Sequence, residues 1–436
     1  MKINVFWFRR DLRLEDNTGL EKALQSGLPL LPLFIFDTNI AEDLPADDPK
    51  VSFIYEALKK INRDLIGMKG SLCILKGDPL EEFKKLIRFY NIEAVFANRD
   101  YEPYSAERDL KIRTFLGKQN ISFHTFKDQV IFEESEIVKN DSKPYTVFTP
   151  YKNAWLKRFG QLSHIIKIPE ESHNGLFIDF SNSFPSLEEL GFKKSNITVR
   201  AYDLSVIKEY DRHRDYPAED LTSYVSPYLR FGIVSIRQII YKAAEENQVF
   251  LNELIWREFF MQILFHFPMV VTENFRKQYN RINWRNNESE FMRWCNGETG
   301  YPIVDAGMRQ LNSTGYMHNR VRMITAGFLC KHLLTDWRLG EAYFASKLLD
   351  YELSSNNGNW QWAAGTGCDA APYFRIFNPF TQSAKFDQAG DYVNKWVPET
   401  RSSIYLKPIV DHTFARHRAI EAYRISANDL KNYFTE

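Results

Sequence analysis

The chain has 436 residues, 44% hydrophobic and 26% charged, enough for two or three domains with sizeable cores. Its 56 lysines and arginines balance 56 aspartates and glutamates, which excludes a global basic field, so any nucleic-acid site must be a local patch. No apolar run reaches the ~18 residues of a membrane span, Lys2 to Glu15 reads as a strand rather than a signal peptide, and four scattered cysteines exclude a disulfide framework, so a soluble protein of the reducing cytoplasm is expected.

From Lys2 to about Lys127, short apolar runs alternate with amphipathic stretches. Strands are predicted at Ile3–Phe8, Leu30–Phe36, Leu72–Leu75, Ala94–Ala97 and Ser122–Phe126. Helices are expected between them, among them Thr18–Gln25 behind Asp16-Asn17 and Leu80–Tyr90 behind Asp78-Pro79. This rhythm predicts an α/β domain over residues 1–130, built on an open, parallel, five-stranded Rossmann-like sheet. The glycine-rich loops that usually cradle a dinucleotide or a triphosphate are absent. Residues 131–199 read as a long connector, irregular from about Gly160 to Thr198. Residues 200–436 are expected to be all-α, with runs at Leu251–Phe265, Gly307–Leu311, Asn319–Leu334 and Glu341–Leu349. Seven of the nine tryptophans lie between Trp256 and Trp396, an asymmetry that core packing does not require. Nothing like a heptad repeat appears, so a monomer is expected.

Three segments concentrate chemistry. Glu253, Trp256 and Arg257 stand at i, i+3 and i+4 of a helix, so a carboxylate, an indole and a guanidinium share a face. That face could line a cavity or carry a solvated salt bridge on a core helix. The run Asp350-Tyr351-Glu352-Leu353-Ser354-Ser355-Asn356-Asn357-Gly358-Asn359-Trp360-Gln361-Trp362 sets carboxylates and tandem asparagines beside bulky rings, which is costly to bury unless the polar groups hold something. A polar loop ahead of a tryptophan-anchored helix is the plainer alternative. On a helix, Trp360 and Trp362 are turned about 200° apart and face different partners. Farther upstream, Asn319 and Met323 are expected to share one face, and His318 and Arg322 another, the latter pair as potential cations. Tyr210 and Arg214 precede the hydroxyl-rich Thr222-Ser223-Tyr224-Val225-Ser226-Pro227, which offers donors to a phosphate or caps to a following helix. Histidines and cysteines lack metal-ligand spacing and no G-x-S-x-G elbow occurs, so neither a metal site nor a serine hydrolase is expected.

These segments, with Trp7-Phe8-Arg9-Arg10-Asp11-Leu12-Arg13, Tyr145-Thr146-Val147-Phe148-Thr149-Pro150-Tyr151, Thr299-Gly300-Tyr301-Pro302-Ile303-Val304-Asp305-Ala306 and Pro372-Tyr373-Phe374-Arg375-Ile376-Phe377-Asn378-Pro379, resemble the photolyase/cryptochrome family over nearly the whole chain. The closest likeness is to the class I photolyases that repair cyclobutane pyrimidine dimers. The resemblance implies FAD folded into the helical domain, UV-damaged DNA as partner, and a dimer flipped out of the duplex. It implies that excited, fully reduced flavin donates an electron, the dimer splits, and the electron returns. By motif, Tyr210 and Thr222, Ser223, Tyr224, Val225 and Ser226 would hold the FAD phosphates. Arg257, Arg322, Asp350, Tyr351 and Glu352 would surround flavin and ribose, and Asn356 would face flavin N5. Trp256 and Trp362 would pack on the dimer, Glu253 and Asn319 would meet its polar edges, and Arg214, Arg320, Met323 and Gln382 would complete the DNA-facing set. Trp360, Trp337 and Trp284 match the family's indole relay.

Two positions depart from the family. Glu352 stands where many relatives carry aspartate, and Tyr101-Glu102-Pro103-Tyr104-Ser105 lacks the Asn-Glu pair of folate-binding relatives. The second departure argues against a methenyl-folate antenna and leaves any second chromophore unidentified. The nearest rival is a cryptochrome light sensor. Against it stand both cavity tryptophans, Asn356 where plant sensors carry aspartate, and the expectation that no long tail follows Glu436. A (6-4) photolyase would carry a His-His pair where this chain reads His318-Asn319. A plain flavin electron carrier would leave Glu253, Trp256 and Trp362 without a purpose.

Overall fold

The five apolar runs near the N-terminus form parallel strands because their side chains alternate between two faces that are both covered. In the computed structural model the strands are β1 (Lys2–Phe8), β2 (Leu30–Asp37), β3 (Cys73–Gly77), β4 (Asn91–Asn98) and β5 (Ser122–Phe126), in the order β3-β2-β1-β4-β5. Phe6 and Phe8 of β1 join Phe34 and Phe36 in one core, whereas Val5 and Trp7 join Leu33, Ile35 and Phe83 in the other. Helices α1 (Thr18–Gln25), α2 (Pro49–Gly67), α3 (Pro79–Phe89) and α4 (Pro103–Lys118) connect the strands. Asn17 caps α1 by accepting from the Leu20 N–H, and Asp78 caps α3 ahead of Pro79, as the start signals predicted.

The structure describes residues 1–162, 176–180, 184–402 and 404–433, with 162 and 428–433 described by backbone alone. The expected connector therefore lies partly outside the described residues, at 163–175 and 181–183. Its described part includes helix α5 (Phe148–Leu162). The chain divides into two units that interleave in sequence: Met1–Ile137, Asn153–Tyr202 and Tyr224–Glu245 form the first, and Val138–Lys152, Asp203–Ser223 and Glu246–Glu436 the second. Helix α6 (Ile236–Glu246) brings Arg237 to the sheet unit.

The second unit is helical. Its main elements are α7 (Gln248–His266), α8 (Glu288–Asn296), α9 (Pro302–Thr314), α10 (Asn319–Gly327), α11 (Trp337–Lys347), α12 (Leu353–Ala364), α13 (Pro379–Phe386) and α14 (His412–Tyr433). The run predicted as one helix over Asn319–Leu334 is interrupted: α10 stops at Gly327 and Phe328–His332 forms a π-helical turn. Both windings bury the same apolar residues, so hydrophobic spacing does not distinguish them. Close helix approach needs two glycines. A Cβ on Gly358 of α12 would lie 2.1 Å from the Phe260 ring of α7, and one on Gly340 of α11 would lie 2.2 Å from the Trp360 ring. Among the described residues, no helix is long and apolar enough to cross a membrane.

Candidate active site

Three helix faces of the second unit converge on two adjoining cavities. On α7, Glu253, Trp256, Arg257 and Phe260 repeat at i, i+3, i+4 and i+7, and all line one cavity, about 840 Å³ with its opening to solvent included. On α10, Asn319, Arg322, Met323 and Ala326 have the same spacing and line the other, about 600 Å³ on the same basis. Helix α12 contributes Ser355, Asn359 and Trp362 to both, and Asn356, Trp360 and Ala363 to the smaller. The second of the two alternatives for the 350–362 run is thereby corrected: Leu353–Ala364 is continuous helix with Glu352 at its N-cap position, not a polar loop.

The smaller cavity has a mixed lining. Phe344, Leu348, Ala326, Trp360 and Ala363 supply apolar surface, and Arg322, Asp350, Glu352 and Asn356 supply polar groups. The polar groups are held in place. Arg322 reaches Asp350 at 2.9 Å and the Met317 carbonyl at 2.8 Å, while Glu352, 5% exposed, accepts from Arg257 at 3.1 Å and from the Ser355 hydroxyl at 2.9 Å. Tyr351 lines the same cavity.

Asn356 is oriented by a residue the sequence reading missed. Its side-chain Nδ2 donates to the Glu341 carbonyl at 3.1 Å and to Glu341 Oε1 at 2.8 Å. Two acceptors on that side fix which end of the amide faces them, so Oδ1 is the atom left for the cavity. Burial raises the pKa of the Glu341 carboxyl, and hydrogen bonds from Asn356 and Tyr351 oppose that rise. Glu341 lies fifteen residues before Asn356, on a different helix, so no local spacing marks it.

In the larger cavity Arg214 Nη1 donates to Glu253 Oε1 at 2.7 Å, and Trp256 and Trp362 both line the space. Burial, followed by the Glu253 charge, raises the pKa of the Tyr210 hydroxyl. The expected faces around His318 are corrected: Asn319, Arg322 and Met323 share one wall, whereas His318 precedes the helix as its N-cap, Nδ1 accepting from the Arg320 N–H. His318 is no cation, since burial, reinforced by Arg322, pushes its pKa down to about 4.

The remaining candidates lie elsewhere. Arg320 pairs with Asp215 at 2.5 Å and covers the Phe386 ring at 4.3 Å, and Gln382 sits on α13. Tyr210 packs edge-on to Phe250. Thr222 shares a hydrogen bond with the Tyr316 hydroxyl at 3.1 Å, and Ser223 is buried; both belong to the second unit, while Tyr224, Val225 and Ser226 belong to the first. The residue at the cap position of the short helix Ser226–Arg230 is Val225, which makes no side-chain bond. Trp337 is fully buried and its indole N–H donates to Asn274 at 2.8 Å, while Trp284 meets Tyr423 edge-on at 6.0 Å. Trp360 packs on Phe344 at 5.0 Å and on Trp294 at 6.1 Å, an indole absent from the sequence candidates.

Residues 4–170 match the family model described as DNA photolyase, and residues 250–404 the one described as the FAD binding domain of DNA photolyase. A deoxyribodipyrimidine photo-lyase of Alkalihalophilus pseudofirmus is 36% identical over 97% of this chain and 98% of its own. The chain belongs to the DNA photolyase family. Among solved structures, the archaeal photolyase from Sulfolobus tokodaii with two FAD molecules superposes with TM-score 0.85 at 36% identity, covering 97% of this chain and 100% of that one. A class III photolyase from Agrobacterium tumefaciens reaches TM-score 0.85 at 32% identity, with 98% of each chain covered. A Synechocystis cryptochrome reaches 0.80 at 25% identity, covering 97% and 99%. Repair enzymes and a cryptochrome thus share this family fold, so the residues of the cavities must decide between the activities.

Proposed function

We propose that this photolyase-family chain is a monomeric, cytoplasmic flavoprotein that splits cyclobutane pyrimidine dimers in UV-damaged DNA under blue light. The observation that carries the proposal is the pair of adjoining cavities with shared walls: one combines apolar surface with polar groups held by ion pairs and hydrogen bonds, and the other offers two indoles and a paired carboxylate. The smaller cavity fits the flavin of FAD, whose ring system has one hydrocarbon edge and one edge of amide-like donors and acceptors. Arg257, Arg322, Asp350, Tyr351 and Glu352 hold flavin and ribose, Asn356 presents Oδ1 to flavin N5, and Tyr210, Thr222 and Ser223 of the same unit serve the phosphates. Bound FAD, when reduced and excited, supplies the electron that opens the cyclobutane ring and takes it back.

The larger cavity receives the dimer. A dimer pairs poorly, so extruding it costs less than the few kcal/mol needed for an ordinary base. Trp256 and Trp362 pack on it, at ~1–3 kcal/mol per base, and Glu253, held in place by Arg214, accepts from its imide edge while Asn319 meets a second polar edge. Met323 contributes to the cavity wall. Arg214, Arg320 and Gln382 face the strand, where contacts give affinity without reading base sequence. Trp360, Trp337 and Trp284 relay electrons inward to oxidised FAD. A second chromophore of unidentified chemistry, in line with the archaeal neighbour's two FAD molecules, is part of the same proposal.

Binding in the dark tests the substrate assignment separately from the photochemistry. The FAD-loaded protein is expected to prefer UV-irradiated over unirradiated oligothymidylate, and E253A to weaken that preference about tenfold to a hundredfold, as expected for losing a charged hydrogen bond. Equal affinity for both DNAs would refute the assignment and leave a light-sensing role on the shared fold.

A further inference from the structure

Trp256 meets Phe148 face to face, with ring centroids 3.7 Å apart and planes 7° from parallel. The other rings around it are looser: Phe260 lies at 5.3 Å, and Phe259 stands nearly perpendicular at 5.5 Å. Phe148 is itself buried and braced edge-on by Phe259. It is the first residue of α5, where a helical N–H has no partner within its own helix. That N–H donates to Asp369 Oδ2 at 3.0 Å. Asp369 stands in the turn that follows α12. The Gln361 carbonyl fixes the course of this turn by accepting from the Thr366 and Gly367 N–H groups at 2.9 and 3.1 Å. A continuous set of contacts therefore runs from the end of the helix that carries Trp362, through Asp369 and Phe148, to Trp256 on α7.

We infer that Phe148, tethered by Asp369, is the positioning residue for Trp256. Its ring covers one face of the indole, so Trp256 takes a base from the cavity on its remaining surface only, and the tether sets the gap across which Trp256 and Trp362 clasp a flipped dimer. The inference rests on the assignment of Trp256 as a dimer contact. The energetic reason is pre-organisation: a side chain that must be ordered on binding costs ~0.5–1.5 kcal/mol of affinity, and one already stacked does not. Neither Phe148 nor its ring contacts carry charge, so the effect is confined to the flipped base and does not touch the phosphate contacts that govern affinity for undamaged DNA.

Dark titrations of the FAD-loaded protein test this, with oligothymidylate containing cyclobutane dimers as the probe and bound FAD as the check on folding. F148A is expected to weaken binding about two- to twelvefold, the equivalent of ~0.5–1.5 kcal/mol, with affinity for unirradiated oligothymidylate unchanged. F148Y keeps the ring and is expected to restore wild-type affinity. D369A cuts the tether but leaves the ring, is expected to shift affinity in the same direction as F148A, and carries the test should F148A fail to fold. In a W256A background F148A is expected to add nothing. Wild-type affinity in F148A and D369A, or an equal F148A loss with and without Trp256, overturns the inference. Wild-type affinity in W256A alone would instead remove the assignment of Trp256 on which it rests.

Discussion

Both units bury arginines beside carboxylates, but the first closes them into a network and the second leaves them lining space. In the sheet unit Asp128, 1% exposed, lies between Arg13 at 2.7 Å and Arg237 at 2.8 Å, and Arg237 also holds Asp16 at 2.9 Å. At the ends of β1 and β4, where the strand order turns and α/β sheets commonly bind ligands, Arg10 is paired with Asp100 and Glu102, and Asn98 with Asp11 and Asn17. In the helical unit the pairs Arg214–Glu253, Arg257–Glu352 and Arg322–Asp350 each have members on a cavity wall. A closed network contributes to the fold; an open one can exchange part of its hydrogen bonding for a ligand. Substitutions in the two units should therefore fail in different ways.

The largest expected effect is W360F, which should abolish photoreduction of bound FAD by an external thiol while leaving FAD binding intact. W294F sharpens this case, because Trp294 is an indole in contact with Trp360. Normal photoreduction in W294F supports the route through Trp337 and Trp284, and loss diverts it through Trp294. Next is D128N, which leaves two buried guanidiniums facing a neutral partner and should cost ~3–5 kcal/mol, read as a lower denaturant midpoint with unchanged photochemistry in the protein that remains folded. Burial alone would raise the Asp128 pKa, but Arg13 and Arg237 outweigh it and hold the carboxyl below its usual range. The depressed value means its stabilisation is present above the unfolded pKa of 3.8 and is lost as pH falls further. Disturbed photochemistry in D128N would break the division between the two networks.

A smaller effect belongs to His318. Its pKa falls from 6.5 to about 4, so between these values the unfolded chain binds a proton that the folded chain does not. Stability is fully present above pH 6.5 and declines by about 3 kcal/mol as pH drops toward 4. The groups that set this are burial and Arg322 and Arg320, opposed by Asp215 and Asp220. H318N, which can still cap α10, should flatten the pH dependence of the unfolding midpoint over that window, and an unchanged slope would show that His318 is not its source. The smallest effect is a coupling. If Glu341 acts through Asn356, the change that E341L makes in the FAD midpoint potential should largely vanish in an N356A background, whereas a plain field effect of the carboxylate would be equal in both.

Much of this was legible in the sequence. The β1 run alternates Phe6 and Phe8 with Val5 and Trp7, and that alternation marks a strand covered on both faces. Glu253, Trp256 and Arg257 were legible as one face because helical spacing is local. Glu341, Phe148 and Trp294 were not, since each acts on a residue of another helix and its role exists only after packing. Phe148 lay inside a recognised block, yet an apolar ring there carries no chemical signal until it is found stacked on Trp256. His318 misled for a related reason: its type suggests a cation, and only burial with a capping bond to the Arg320 N–H reveals a neutral ring.

The central claim meets its most direct test in the ultraviolet absorbance of irradiated oligothymidylate mixed with the reduced, FAD-loaded protein. Splitting dimers restores the absorbing double bonds of the bases. A rise under blue light and none in the dark is the predicted result; no rise in the light, with FAD bound and reduced, would contradict dimer repair by this chain.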